Sequence, residues 1–273
     1  MARVVGNGVM IRYRVEGDGP PLILQHGFTD SSETWYELGY VETLKRQHRL
    51  ILIDARGHGQ SDKPHDPQSY GIQMGQDVVR LLDHLNITRA HIVGYSMGAG
   101  ITAKLLTTHP DRFLTATLGG AAGRHNWTAQ DEAAAEAEAV ELEQGIPFRS
   151  LILRTAPTDQ PKPTEEAIQA TSQRILGRND RLALAALVRR RGEQTVSEVQ
   201  MATVQVPTLG LIGSADANLA AMNRLKSVLP ALKVVVIEGA THGGERGALR
   251  RPEFVDNLRA FLATHTQTAS SLR

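Results

Sequence analysis

The hydrophobic residues of this chain form short apolar runs that alternate with stretches of helical periodicity. Runs typical of strands buried on both faces occupy residues 50–53, 90–93, 206–212 and 234–237. Apolar residues at helical spacing lie between and after these runs: Val78, Leu81, Leu82, Leu85, Phe254, Leu258, Phe261 and Leu262. Alternation of strands and helices predicts an α/β fold with a largely parallel sheet.

The beginning of the chain departs from this alternation. Residues 9–15 and 22–24 both have strand character, and a turn-forming segment at residues 17–20 joins them. We therefore expect these two strands to form an antiparallel pair.

A second departure is the segment at residues 122–200, which has no convincing strand. It carries three capped helical patterns, which run from Thr128 to Gly145, from Thr164 to Gly177 and from Asp180 to Gly192. In the first, Asp131 follows Thr128 by three residues and completes a capping box. We expect residues 122–200 to be a helical cap or lid, inserted into a core domain made of residues 1–121 and 201–273.

Composition and charge exclude several classes of protein. The chain has 273 residues with 30 Lys+Arg against 29 Asp+Glu, so a net charge of +1 argues against nucleic-acid binding. There is no apolar run long enough for membrane insertion and no hydrophobic leader at residues 1–8, which predicts a cytoplasmic protein. The absence of cysteine excludes disulfides, cysteine nucleophiles and thiolate metal sites. The oligomeric state stays open.

The segment Gly94-Tyr95-Ser96-Met97-Gly98 is the strongest chemical signal. An apolar strand precedes it and a helical stretch that ends before Pro110 follows it, which is the context of a nucleophile elbow. Such a turn holds the nucleophile in a strained backbone conformation, so small residues are needed two positions away on each side. Ser96 is therefore the candidate nucleophile.

A serine hydroxyl needs a base to take its proton, and that base is usually a histidine oriented by a carboxylate. Among ten histidines, His242 directly follows a predicted strand and should emerge at the carboxyl edge of the sheet, where ligands bind in open α/β folds. His58 lies in a glycine-rich loop and is more typical of a residue that shapes a turn. His84 and His91 are more typical of structural or solvated histidines. Asp216 follows the strand before His242 and is the candidate acid, whereas Asp54 precedes a glycine-rich loop and reads as a turn anchor.

Two backbone N–H groups should stabilise the oxyanion that develops on an attacked carbonyl. Met97 supplies one, because it directly follows the nucleophile. Phe28, in the segment His26-Gly27-Phe28, is the candidate for the other.

Taken together, these segments resemble the α/β-hydrolase superfamily over nearly the whole chain. Residues 26–28 resemble its oxyanion loop, residues 54–61 its D-x-R-G-x-G-x-S segment, and residues 94–98 its elbow. The order Ser96, Asp216, His242 is the family's chain order. The resemblance implies a mostly parallel eight-stranded sheet flanked by helices, with the family's helical cap near residues 122–200.

It also implies hydrolysis of a small-molecule carboxylic ester through an acyl-enzyme, with no cofactor and no metal. Dehalogenases and epoxide hydrolases of this superfamily use aspartate as nucleophile, so Ser96 disfavours those reactions. Lactonases, carbon–carbon bond hydrolases and cofactor-free perhydrolases keep serine and stay as alternatives. A non-catalytic ligand receptor of the same fold is a further alternative, which the complete set of three residues weakens.

Substrate selection should reside in the insertion, where the sequence pattern indicates least about individual residues. Tyr95 and Trp127 are candidate pocket residues, although Trp127 could equally pack against the first helix of the insertion. The run at residues 189–191, three arginines, could attract an acidic substrate, but such a run is more often a solvated face.

Overall fold

The computed structural model describes residues 2–145 and 148–270. Its strands are β1 (Ala2–Gly6), β2 (Val9–Glu16), β3 (Pro21–Gln25), β4 (Arg49–Ile53), β5 (Ala90–Tyr95), β6 (Phe113–Gly119), β7 (Thr208–Gly213) and β8 (Leu232–Ile237). They form one 8-stranded sheet in the order β1-β2-β4-β3-β5-β6-β7-β8, in which the strands from β4 to β8 are parallel. The expected α/β fold with a mostly parallel sheet is confirmed.

The pairing at the start of the chain differs from the expectation. Strand β2 pairs antiparallel with β1 and β4, and β4 separates it from β3, so the expected hairpin of residues 9–15 with residues 22–24 is wrong. Leu22, Ile23 and Leu24 are fully buried, and a strand buried on both faces is placed between two parallel neighbours, here β4 and β5. The true hairpin partner of β2 is β1, across a two-residue turn at Asn7-Gly8 in which both residues have positive φ.

Helices cover both faces of this sheet. They are α1 (Glu33–Glu37), α2 (Tyr40–Leu44), α3 (Gln73–His84), α4 (Met97–Thr108), α5 (Ala129–Gln144), α6 (Arg149–Arg154), α7 (Glu165–Leu176), α8 (Arg181–Arg189), α9 (Glu198–Ala202), α10 (Leu219–Val228) and α11 (Pro252–Ser270). One apolar core includes side chains of α3, α4 and α10, and the other includes side chains of α1, α2 and α11. No helix in the described ranges is long and apolar enough to cross a membrane.

Between β6 and β7 the chain forms the helical insertion, α5–α9. Its predicted caps are present: Thr128 and Asp131 form a capping box, Gly145 ends α5 with a φ of 69°, and Thr164 and Asp180 cap α7 and α8. Helix α8 ends at Arg189, three residues before the expected glycine, and a 3₁₀ turn follows. The short helices α6 and α9 were not predicted, and α9 crosses the expected boundary at residue 200. We retain residues 122–200 as the proposed extent of the insertion.

The insertion has its own small core and, among its described residues, one buried carboxylate. The core contains apolar side chains of α5 and α8 together with Phe148. Glu138 is 1% exposed and forms ion pairs with Arg154 at 2.7 Å and with Arg191 at 2.9 Å. Although burial alone would raise it, these two arginines lower the pKa of Glu138 to about 2. The carboxylate is therefore charged and joins three segments of the insertion.

Candidate active site

Ser96 lies in a sharp turn between β5 and α4. Its φ of 53° and ψ of −108° are unusual for a residue with a side chain, and its N–H donates to the carbonyl of Gly119 at 2.8 Å. Because α4 begins at Met97, the positive end of the helix dipole lies directly beneath the hydroxyl. The strand–turn–helix context expected for this segment is present.

The two glycines around Ser96 are required by close backbone contacts. A Cβ on Gly94 would lie 2.2 Å from the carbonyl oxygen of Gly98, and a Cβ on Gly98 would lie 2.3 Å from that of Gln25. Neither position has room for a side chain, since these contacts are with backbone atoms. The glycines therefore let β3, β5 and α4 approach closely enough to form the elbow.

Ser96, His242 and Asp216 form one hydrogen-bonded chain. The Ser96 Oγ lies 2.9 Å from His242 Nε2, and His242 Nδ1 lies 2.9 Å from Asp216 Oδ2. A carboxylate only accepts hydrogen bonds, so Nδ1 carries the ring proton and Nε2 is left to accept from the serine hydroxyl. The three residues follow β5, β7 and β8, whose carboxyl ends meet at one edge of the sheet.

Asp216 is fixed by a residue that sequence reasoning missed. Its side chain is fully buried, and its Oδ1 accepts the backbone N–H of Asn218 at 2.9 Å. The Asn218 side chain in turn donates to the carbonyl of Gly120 at 2.9 Å. No sequence pattern distinguishes this asparagine from others in loops. Because the Asn218 N–H binds Oδ1, the second carboxylate oxygen of Asp216, Oδ2, is available to His242.

The turn at residues 27–30 lies beside the nucleophile. A Cβ on Gly27 would be 3.5 Å from the Ser96 Cβ, and the N–H of Asp30 donates to the Gly27 carbonyl at 3.2 Å. Within the described part of the chain, the N–H groups of Phe28 and Met97 have no acceptor. Both amides that are expected to bind the oxyanion are therefore free to do so.

Hydrogen bonds from the insertion and from the buried side chain of His26 stabilise this turn. Thr29 has a φ of 69°, which a threonine adopts only when its surroundings impose it, and its carbonyl accepts the side-chain amide of Asn179 at 3.1 Å. Beneath the turn, His26 Nε2 accepts the N–H of Ala55 at 3.0 Å, and Nδ1 therefore donates to the Gly27 carbonyl at 2.8 Å. Burial lowers the pKa of His26, which favours this neutral form.

Asp54 and His58 support the neighbouring loop, in agreement with the structural roles expected of them. The Asp54 carboxylate accepts the backbone N–H groups of Ser32 at 2.8 Å and Gln60 at 2.9 Å. Burial opposes its ionisation, but these bonds lower the pKa of Asp54 overall. His58 is fully buried against His26, and burial lowers the pKa of His58 to about 3.

Tyr95 and Trp127 lie in different surroundings from one another. Tyr95 is 5% exposed, packs against Phe254, and donates its hydroxyl to the carbonyl of His242 at 2.5 Å. As the last residue of a buried strand it lies inside the core and supports the His242 loop, and its role in the pocket stays a prediction. Trp127 packs on the core of the insertion and donates to Glu132, which fits the packing alternative.

The arginines at residues 189–191 do not act as one charged face. Arg189 pairs with Glu136 and Glu143 at the surface, whereas Arg191 turns inward over the Phe28 ring, with 5.7 Å between its guanidinium carbon and the ring centroid.

Among the described residues there is no cluster of His, Asp or Glu that could hold a metal ion.

Comparisons with known proteins agree with this architecture. A family model described as alpha/beta hydrolase fold matches residues 20–243. The chain is 30% identical over 215 residues to 3-oxoadipate enol-lactonase 1 of Acinetobacter baylyi, covering 77% of each chain. It is 27% identical over 269 residues to the dihydrolipoyllysine-residue acetyltransferase component of the acetoin cleaving system of Pseudomonas putida, covering 96% of this chain and 68% of that protein. Several other curated relatives match over only about a third of their own length.

A solved structure with the same fold is that of a thermophilic esterase from Thermogutta terrifontis. Its TM-score is 0.75 at 22% identity, and the match covers 99% of both chains. At this level of identity the likeness concerns the fold.

Proposed function

Because the chain belongs to the α/β-hydrolase fold family, we propose that it is a serine hydrolase that cleaves carboxylic esters of small to medium size through an acyl-enzyme. The observation that carries the proposal is the hydrogen-bonded chain from Ser96 through His242 to Asp216, with both links at 2.9 Å. A hydroxyl in such a chain can lose its proton to the imidazole as it attacks a carbonyl carbon.

In the first half of the reaction, Ser96 attacks and His242 Nε2 takes the hydroxyl proton. The imidazolium that forms is stabilised by the buried carboxylate of Asp216. The carbonyl oxygen becomes an oxyanion, which the N–H groups of Phe28 and Met97 bind. Collapse of this intermediate transfers the proton from His242 to the leaving alcohol and leaves the acyl group on Ser96.

In the second half, water replaces the alcohol. His242 takes a proton from this water, the resulting hydroxide attacks the acyl carbon, and the same two amides bind the second oxyanion. The proton then returns to Ser96, and the carboxylic acid is released. No step needs a metal or an organic cofactor.

Hydrolysis of a lactone is the second candidate function. The observation that favours it is the similarity to 3-oxoadipate enol-lactonase 1, which covers 77% of both chains. A lactone is a cyclic ester, so the same three residues would open it by the same steps, with the leaving alcohol kept on the product.

A fluorophosphonate probe tests the nucleophile. The wild-type protein should be labelled at Ser96, and Ser96→Ala should lose both labelling and turnover of p-nitrophenyl butyrate while keeping its melting temperature. The matched control is Ser214→Ala, since Ser214 lies after β7 and bonds to Glu238 and Gly239. Labelling at another serine, or an active Ser96→Ala variant, would refute the assignment. Comparing p-nitrophenyl esters with aliphatic lactones then ranks the two candidate functions.

A further inference from the structure

Asp30 is a carboxylate beside the nucleophile that the reaction steps above do not use. A Cβ on Gly27 would lie 3.2 Å from Asp30 Oδ2 and 3.5 Å from the Ser96 Cβ. These two distances together place the carboxylate within the length of a small acyl group from the nucleophile. It therefore borders the space that a bound ester must fill.

The carboxylate is accessible and yet surrounded by protein. Asp30 is an exposed residue, but burial, together with the nearby carboxylate of Glu37, raises its pKa to about 6, while Arg250 opposes the rise. Asp30 is therefore open to solvent while protein atoms occupy much of the space around its carboxylate, which disfavours the charged form.

This carboxylate is also unpaired. Among the residues that the structure describes, no side chain or backbone N–H forms a hydrogen bond or salt bridge with it. By contrast, Asp54 and Asp216 both accept backbone N–H groups. A partly desolvated carboxylate without donors gains most from a ligand that brings one.

We propose that Asp30 is a specificity-determining residue that accepts a hydrogen bond from a donor group, a hydroxyl or an ammonium, close to the scissile carbonyl of the substrate. This inference rests on the proposed ester hydrolysis and names the substrate class within it. The turn that carries Asp30 also carries Phe28, so a donor bound there helps to align the carbonyl with the oxyanion amides.

Two matched pairs of esters test the proposal, one with the donor on the acyl side and one with it on the alcohol side. The first pair is p-nitrophenyl 3-hydroxybutyrate against p-nitrophenyl butyrate, and the second is 2-hydroxyethyl butyrate against propyl butyrate. The wild-type kcat/KM should favour the donor-bearing ester in at least one pair. Asp30→Ala should reduce that preference about tenfold or more, because hydrogen bonds to charged groups contribute that much.

The controls separate charge, folding and chemistry. Glu37→Gln removes a nearby exposed carboxylate and should leave the preference unchanged. Asp30→Asn keeps the shape of the side chain and should reduce the preference by a smaller factor than Asp30→Ala, because a neutral amide oxygen is a weaker acceptor than a carboxylate; it tests the proposal even where Asp30→Ala fails to fold. Equal preferences in wild type and the Asp30 variants for both pairs, or no preference in the wild type, would overturn the proposal. If the proposed function is wrong, Ser96→Ala still hydrolyses p-nitrophenyl butyrate and propyl butyrate. That result differs from failure of the Asp30 proposal alone, in which Ser96→Ala is inactive and the Asp30 variants keep the wild-type preference.

Discussion

Glu138 is the buried carboxylate of the insertion, and we expect Glu138→Gln to destabilise the protein markedly. The substitution leaves the guanidinium groups of Arg154 and Arg191 without their shared counter-ion. Their side chains are 43% and 15% exposed, so Arg191 in particular cannot replace the lost partner fully with water. Breaking a buried pair from one side is among the most costly single changes.

The size of the effect follows from the pKa of Glu138, which falls from an ordinary 4.5 to about 2 in the folded protein. Each pKa unit corresponds to about 1.4 kcal/mol, so the ionised carboxylate contributes about 3 kcal/mol to the free energy of unfolding at neutral pH. Because the folded pKa lies below the unfolded one, this contribution is complete above about pH 5. It is lost as the pH falls towards 2.

Urea denaturation followed by tryptophan fluorescence measures this effect at pH 7 and at lower pH. The matched control is Glu136→Gln, whose carboxylate is 56% exposed and pairs with Arg189, and which should cost less than about 1 kcal/mol. The difference between wild type and Glu138→Gln should shrink as the medium is acidified. A loss at pH 7 no larger than that of the control, or a difference that grows in acid, would refute the reasoning.

Two further predictions concern the elbow and the triad. Asp216→Asn should lower kcat by about 10⁴-fold without lowering the melting temperature, because an asparagine amide favours the wrong tautomer of His242; near-normal kcat would place the acid elsewhere. Gly98→Ala should cost about 1–3 kcal/mol, since its Cβ would meet the carbonyl of Gln25, whereas Gly100→Ala two residues further along α4 has open space and should be neutral or stabilising. Equal melting temperatures for the two variants would contradict the close contact.

Most of the correct predictions concern features that depend on residues close together in the sequence. The capping box at Thr128 and the glycine at Gly145 depend on residues a few positions apart, so their geometry is encoded locally. The placement of Ser96, Asp216 and His242 at one sheet edge was predictable for a related reason. Ser96 directly follows β5, Asp216 and His242 lie in the short loops after β7 and β8, and parallel strands end at the same edge.

Features that depend on distant partners were not predictable. Nothing in residues 9–24 shows that β4 separates β2 from β3. The order of the strands depends on how their apolar faces pack against segments that are distant in the sequence. Asn218 and Asn179 became visible only through the atoms they contact, Gly120 and Thr29. Tyr95 shows the same limit, since its position in a strand does not reveal which layer its ring enters.

The hydrogen bond from Asn179 to the carbonyl of Thr29 links the insertion to the turn that bears the Phe28 amide. Under the proposed function, the helices that select the substrate and the amide that binds the oxyanion are therefore joined by one hydrogen bond. We expect substitutions in those helices to change the rate of turnover as well as the choice of substrate.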